Sequence, residues 1–274
     1  MMMNLYNKLA LASVCCFTLN LCYAESVSEA TANTLTLLNN VEVQVNRALK
    51  TASGAYMLQM GSGYWKPNAT LYDTKHNKNT YLYGIQKGHH IAFTSNENRE
   101  LGSGNINLDG NLDVETGIYR AILNDQSEGF KQELVFSPLV NISNRPTFLF
   151  KFYGVNDPTT HGKIIHKIDV IDRKSKQLYQ ELSGFSAYAV DVQYIDLNFD
   201  GYFDLVLKDT SSALGDGDRS IYWMYNPKTK KFQRSPQLEA LGSSPVIDIA
   251  NHQVSFGDGH HYLIKDGQFY KIKN

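Results

Sequence analysis

Residues 194–207 read YIDLNFDGYFDLVL, and within them Asp196, Asn198, Asp200, Gly201 and Asp204 form the pattern D-x-N-x-D-G-x-x-D. This is chemistry for a hard divalent cation. Ca²⁺ takes about six to eight oxygen ligands, and alternate residues of a tight loop turn their side chains inward to supply them. Counting from Asp196, positions one, three and five carry oxygen side chains. Gly201 at position six allows the sharp turn, Tyr202 offers its backbone carbonyl, and Asp204 stands at position nine. A helix–loop–helix calcium site needs Glu at position twelve, where Leu207 sits. Apolar strand-like runs flank the loop instead, Val190–Ile195 before and Leu205–Leu207 after. The expectation is a strand–loop–strand site that holds Ca²⁺ for structural reasons. Mg²⁺ fits less well, because it keeps more of its water. Three aspartates in nine residues repel one another unless a cation lies between them.

Downstream, Asp209–Asp218 (DTSSALGDGD) is rich in Ser and Gly. Between residues 191 and 218 there are seven aspartates (191, 196, 200, 204, 209, 216 and 218) against Lys208 and, just beyond, Arg219. An edge of this charge can steer a basic partner. Other chemistry is sparse. His89–His90 and His260–His261 are adjacent pairs in strand-like segments, where neighbours point to opposite faces and cannot easily grip one metal. No G-x-S-x-G, P-loop or H-E-x-x-H pattern is present, and no nucleophile–base spacing stands out, so no enzyme is expected.

The elements that must position the loop read as strands. Four hairpins are expected: residues 105–123 turning at Glu115–Gly117, residues 164–182 turning at Lys174–Lys176, residues 220–235 turning after Asn226–Pro227, and residues 260–273 turning at Asp266–Gly267. A short helix is expected at Pro236–Leu241, with Ser235 as its N-cap and Gly242 at its end. Residues 35–50 fit a helix face and a strand equally well. The fold class is therefore all-β and antiparallel, and periodicity does not separate a sandwich from a propeller-like arrangement. The turn-rich stretch 156–162 is the best candidate for an internal division of one domain covering 35–274.

The chain of 274 residues carries 26 Lys+Arg against 27 Asp+Glu, without the basic excess of a nucleic-acid binder. All three cysteines (15, 16 and 22) fall in the first 24 residues, together with Lys8, the apolar run Leu9–Leu21 and Ala24. A basic start, a short apolar centre and a small exit residue describe a secretory signal peptide, and the centre is shorter than the ~20 residues of a spanning helix. Residues 25–34 read as a flexible lead-in. Val14 before Cys15 and Leu21 before Cys22 do not fit a lipoprotein cleavage site. Cleavage after Ala24 leaves a thiol-free chain suited to a bacterial periplasm.

The run from Val190 to Leu241 resembles the bacterial periplasmic calcium-binding family of the Xanthomonas type IV secretion immunity proteins, which inhibit lysozyme-like effectors. The shared order is a calcium loop followed by Asp-Leu and a strand, a Gly/Ser-rich loop, an aromatic strand, N-P-x-T-x-x-F and a short helix. The loop alone also resembles the FG-GAP repeats of integrin-like propellers. The resemblance implies a β-propeller-like fold related in topology to i-type lysozyme inhibitors, and Ca²⁺ held by Asp196, Asn198, Asp200, the Tyr202 carbonyl and Asp204. It also implies a peptidoglycan hydrolase or lysozyme-like effector as protein partner. Contact candidates are Asp216, Asp218 and Tyr222, with Ser62 and Tyr64 second, because their G-S-G-Y setting is similar to the loops that other lysozyme inhibitors insert into a catalytic cleft. The alternative is an envelope- or carbohydrate-binding module, using Trp65, Trp223 and the tyrosines as stacking faces.

Overall fold

The computed structural model describes residues 35–157, 162–211, 219–257 and 259–272. A short strand, β1 (Thr36–Leu38), precedes β2 (Val43–Thr51), so the ambiguous opening stretch is extended. There follow β3 (Tyr56–Ser62), β4 (Asn68–Asp73), β5 (Lys78–Lys87), β6 (His90–Thr94), β7 (Ile106–Leu112), β8 (Tyr119–Asp125) and β9 (Phe130–Pro138). Each pairs antiparallel with the next, and β9 returns to β2 through Leu49↔Pro138, Lys50↔Ser137 and Thr51↔Phe136. Strands β2–β9 thus close an eight-stranded barrel. The expected propeller is not formed among the described residues.

An eight-stranded barrel has an interior just wide enough for side chains to fill. Here Leu58, Met60, Leu82, Ile91, Phe93, Leu108, Leu123 and Phe136 fill it with neighbours of the same kind. The Tyr119 hydroxyl lies in this core and donates to the Ile91 carbonyl at 2.6 Å, so its polar end is satisfied.

The second half builds on the barrel through β2. Strands β10 (Phe148–Asp157), β11 (Gly162–Asp172), β12 (Leu178–Leu182) and β13 (Ala187–Tyr188) form a separate sheet with β1. Asp157 lies opposite Gly162 in the β10–β11 pair. Strands β14 (Val192–Ile195), β15 (Asp204–Lys208), β16 (Ser220–Asn226) and β17 (Lys231–Arg234) extend the barrel sheet. They join it because β14 runs parallel to the first half of β2, Val192↔Val43 to Ile195↔Asn46. All other strand pairings among the described residues are antiparallel.

The helix α1 spans Pro236–Glu239, with proline in its first turn as expected, but the Ser235 hydroxyl makes no capping bond. A last sheet holds β18 (Val246–Asp248), β19 (Gln253–Ser255), β20 (His261–Lys265) and β21 (Gln268–Lys271). The four expected hairpins are β7–β8, β11–β12, β16–β17 and β20–β21. The last turns through Asp266 (φ 51°) and Gly267 (φ 71°), the positive angles that a two-residue type I′ turn requires.

The β14–β17 sheet is covered on both sides. Leu205, Leu207 and Ile221 pack with Phe148, Phe152 and Ile168 on one face, while Val206 and Tyr222 pack with Ile247, Val254 and Phe256 on the other. A strand buried on both faces reads as a continuous apolar run, which explains DLVL in β15. No helix of the described residues is long and apolar enough to cross a membrane.

The barrel register has a sharp consequence on β8, where Leu123 is 1% exposed and its neighbour Ile122 is 38% exposed. Leu123→Ala is expected to lower the unfolding free energy by about 2–5 kcal/mol, and Ile122→Ala by less than about 1 kcal/mol. Urea denaturation of the two variants checks the difference, and equal losses would contradict the barrel interior described.

Candidate functional site

The 196–204 loop joins β14 to β15 and is organised by its own amides. The Asp196 carboxylate accepts the Asp200 N–H at 3.0 Å on one oxygen and the Gly201 N–H at 2.9 Å on the other. Asp200 accepts the Tyr202 N–H at 2.9 Å. These bonds curl the chain back on itself. Phe199 (φ 52°) and Gly201 (φ 86°) take the left-handed conformations the curl demands. At Gly201 a side chain is excluded twice, by that angle and because a Cβ would fall 2.3 Å from Ile142 Cγ1.

Asp204, 1% exposed, begins β15. Its two oxygens accept the Leu197 N–H at 3.1 Å and the Tyr225 N–H at 2.8 Å, tying the start of the loop to the neighbouring strand β16. The loop is also the meeting point of distant segments. Asn198 Nδ2 donates to the Gly267 carbonyl in the β20–β21 turn at 3.2 Å, and Arg145 Nη1 donates to the Gly201 carbonyl at 3.3 Å. The Tyr202 ring stacks on Tyr225, with centroids 5.3 Å apart.

The electrostatics follow from burial. Desolvation, reinforced by the Asp200 carboxylate, pushes Asp196 up to about 7. Burial also raises Asp200, and it raises Asp204 well above the usual carboxylate range with Asp196 adding to it. Each carboxylate is held by amides, while the charge of Asp200 adds to the shift of Asp196 and that of Asp196 to the shift of Asp204.

Asn198 is the telling member. Its Nδ2 donates to Gly267 O and to Asp200 Oδ2 at 3.1 Å, which fixes the amide's orientation. Its Oδ1 is left buried and without a partner. A buried acceptor of this kind costs free energy unless a donor or a cation reaches it. The donor set suits calcium: hard oxygens only, with a spare lone pair on each amide-bound carboxylate oxygen. Among the described residues no three His, Cys, Asp or Glu side chains already converge in the manner of a finished metal site, since the carboxylates are turned to the loop's amides.

Protein-family models, curated proteins and solved structures contain no match to this chain. The geometry therefore stands by itself.

The expected partner-contact residues fare differently. Asp216 and Asp218 lie outside the described residues. Tyr222 is fully buried, and its hydroxyl donates to the Ser243 carbonyl at 2.9 Å, so it belongs to the core. Ser62 is 2% exposed; its hydroxyl accepts from Arg47 Nη1 at 2.6 Å and donates to the Val45 carbonyl at 3.3 Å, so it is not presented to a partner. The Tyr64 hydroxyl accepts from Asn68 Nδ2, and burial pushes it up to about 12. Trp65 beside it is 71% exposed, with the Lys66 ammonium 3.8 Å from its ring centroid, whereas Trp223 packs against Phe185. The acidic excess is not one surface either, because Asp204 is core and Asp196 is bound to amides. His90 is an ordinary surface residue, 2.6 Å from Asp109.

Sequence reasoning missed the dependence of the loop on Gly267 and Arg145. Both contacts join segments far apart in the chain, and no local spacing announces them.

Asp204→Asn replaces one of two amide-accepting oxygens with a donor. It is expected to lower the unfolding free energy by about 1–3 kcal/mol in chelator, while Asp191→Asn, at an exposed left-handed position, leaves it unchanged. Urea curves recorded in EDTA check this, and a fully stable Asp204→Asn protein would show that the two bonds carry nothing.

Proposed function

We propose that this chain is an exported, non-enzymatic β protein whose 196–204 loop takes one structural Ca²⁺ and which acts by binding another protein of the bacterial envelope. The observation that carries the calcium half is the buried, unpartnered Oδ1 of Asn198, whose Nδ2 donates to the Asp200 carboxylate. Asp196, Asn198, Asp200 and the Tyr202 carbonyl would hold the ion, with Asp204 behind them fixing the loop to β16. The ion neutralises the carboxylates that burial sets against one another.

The partner half rests on the motif order of residues 194–241. It points to a periplasmic inhibitor or immunity protein that occludes the cleft of a lysozyme-like peptidoglycan hydrolase. With Ser62 and Tyr222 committed to the fold, Trp65 is the exposed aromatic beside the second candidate segment, and Asp216 and Asp218 remain contact candidates on sequence alone. The exposed Trp65 indole also favours a second reading, an envelope-glycan-binding module, since an exposed indole face is what a sugar ring stacks on.

Calorimetric titration of metal-stripped protein with Ca²⁺ tests the first half. One ion per chain is expected, with Asn198→Ala weakening binding at least ~10-fold, as loss of a charge-assisted ligand implies. No heat, or full affinity in the variant, would contradict it. For the second half, the calcium-loaded protein is expected to slow lysis by a member of a lysozyme panel. Retention on purified peptidoglycan with no inhibition would instead select the glycan-binding reading.

A further inference from the structure

A cleft of about 700 Å³ opens between the first half of β2, the 145–147 segment and β10. Val43, Val45, Val114, Phe148, Phe150 and Phe152 give it apolar walls. Its charged lining is one-sided: Arg47, Arg145, Lys151 and Arg173 border it, and no Asp or Glu does. In a chain of net charge −1 this is not a consequence of composition.

Arg47 and Arg145 have no ion-pair partner among the described residues, although the Asp196 carboxylate acts on Arg145 through space. Arg47 Nη1 donates to the Ser62 hydroxyl at 2.6 Å and to the Val45 carbonyl at 3.5 Å. Arg145 donates to the Gly201 carbonyl at 3.3 Å and rests over the Phe203 ring, 4.6 Å from its centroid. Arg173 at the margin is already paired with Glu115 at 3.1 Å. Burial, with the neighbouring charge of Arg145, pushes Arg47 down to about 10. Removing a guanidinium from water without a counter-charge is costly, and neutral acceptors such as Ser62 Oγ and backbone carbonyls offset only part of that cost.

We infer that this cleft binds an amphipathic monocarboxylate, with the carboxylate on Arg47 and Arg145 and an aliphatic body along Val43, Val45 and Phe150. A guanidinium presents paired N–H groups that match a carboxylate, and a volume of this order accommodates a small organic ligand. The apolar walls account for a body that inorganic anions lack. The cleft touches the 196–204 loop through Arg145, which donates to the Gly201 carbonyl, but the inference requires no ion in that loop.

The test titrates the full chain with decanoate, 1-decanol and decyltrimethylammonium below their micellar concentrations, in parallel with and without Ca²⁺. Decanoate is expected to bind one per chain and at least ~10-fold more tightly than decanol, the range expected for a hydrogen bond to a charged group, and decyltrimethylammonium more weakly than either. Arg47→Gln is expected to remove most of the decanoate preference while leaving decanol binding intact, which a merely structural role for Arg47 would not do. Val43→Trp, which fills the apolar side, is expected to abolish binding of both. The ratio of decanoate to decanol affinity in the parent chain decides the matter even where a variant fails to fold. No binding of decanoate, equal affinity for decanoate and decanol, or unchanged decanoate affinity in either folded variant would overturn the proposal.

Discussion

The carboxylate of Asp204 sits at 1% exposure between two backbone N–H groups, Leu197 on its own loop and Tyr225 on the neighbouring strand. Burying such a group is expensive unless both oxygens are satisfied, and here each is. The consequence is a fixed turn between β14 and β15, on which two distant segments dock. The β20–β21 turn docks on it through Gly267, and the 139–147 connection docks through Arg145 and through Ile142 packed on Gly201. Burial raises all three carboxylates, with Asp200 adding to the shift of Asp196 and Asp196 to that of Asp204, and the proposed divalent cation at Asn198 would ease that conflict.

Strand β2 explains how two architectures share one sheet. Its end, Leu49–Thr51, closes the barrel against β9, while its beginning, Val43–Asn46, pairs with β14. Where the two sets diverge, Gln44 donates to Asn46 and Asn46 to Gln193, a ladder of side-chain amides across the junction. The same divergence leaves the face of Val43, Val45 and Arg47 uncovered by β9, and β10 approaches it without sealing it. The cleft is thus a by-product of a strand that serves two neighbours.

Much of the local structure was legible in the residues. Asp266–Gly267, Lys174–Lys176 and Glu115–Gly117 are turns because their side chains or positive φ angles favour one, and the strands on either side follow from alternation. The D-x-N-x-D-G spacing likewise encodes its own curl, since each carboxylate finds its amide within five residues. What stayed hidden was pairing at long range. Nothing near Leu49 marks Pro138 as its partner, so barrel closure was not readable and a propeller-like arrangement was expected. Tyr222 reads as an aromatic strand residue open to a partner, yet β18–β21 cover it. Ser62 reads as a contact candidate in a G-S-G-Y setting, yet it is buried and Arg47 holds its hydroxyl. Arg47 and Arg145 are unremarkable in the sequence, and only the fold places both beside one cleft.

The central claim, that the 196–204 loop is a structural calcium site, is tested most directly by the melting temperature of metal-stripped protein in EDTA and after Ca²⁺ is restored. An ion bound only by the folded chain, supplied at 100 times its dissociation constant, adds about 2.7 kcal/mol, which for a domain of this size corresponds to a rise of about 5–10 °C. A rise of that order, absent in Asn198→Ala, is the result the geometry predicts. Identical melting curves with and without Ca²⁺ would contradict it.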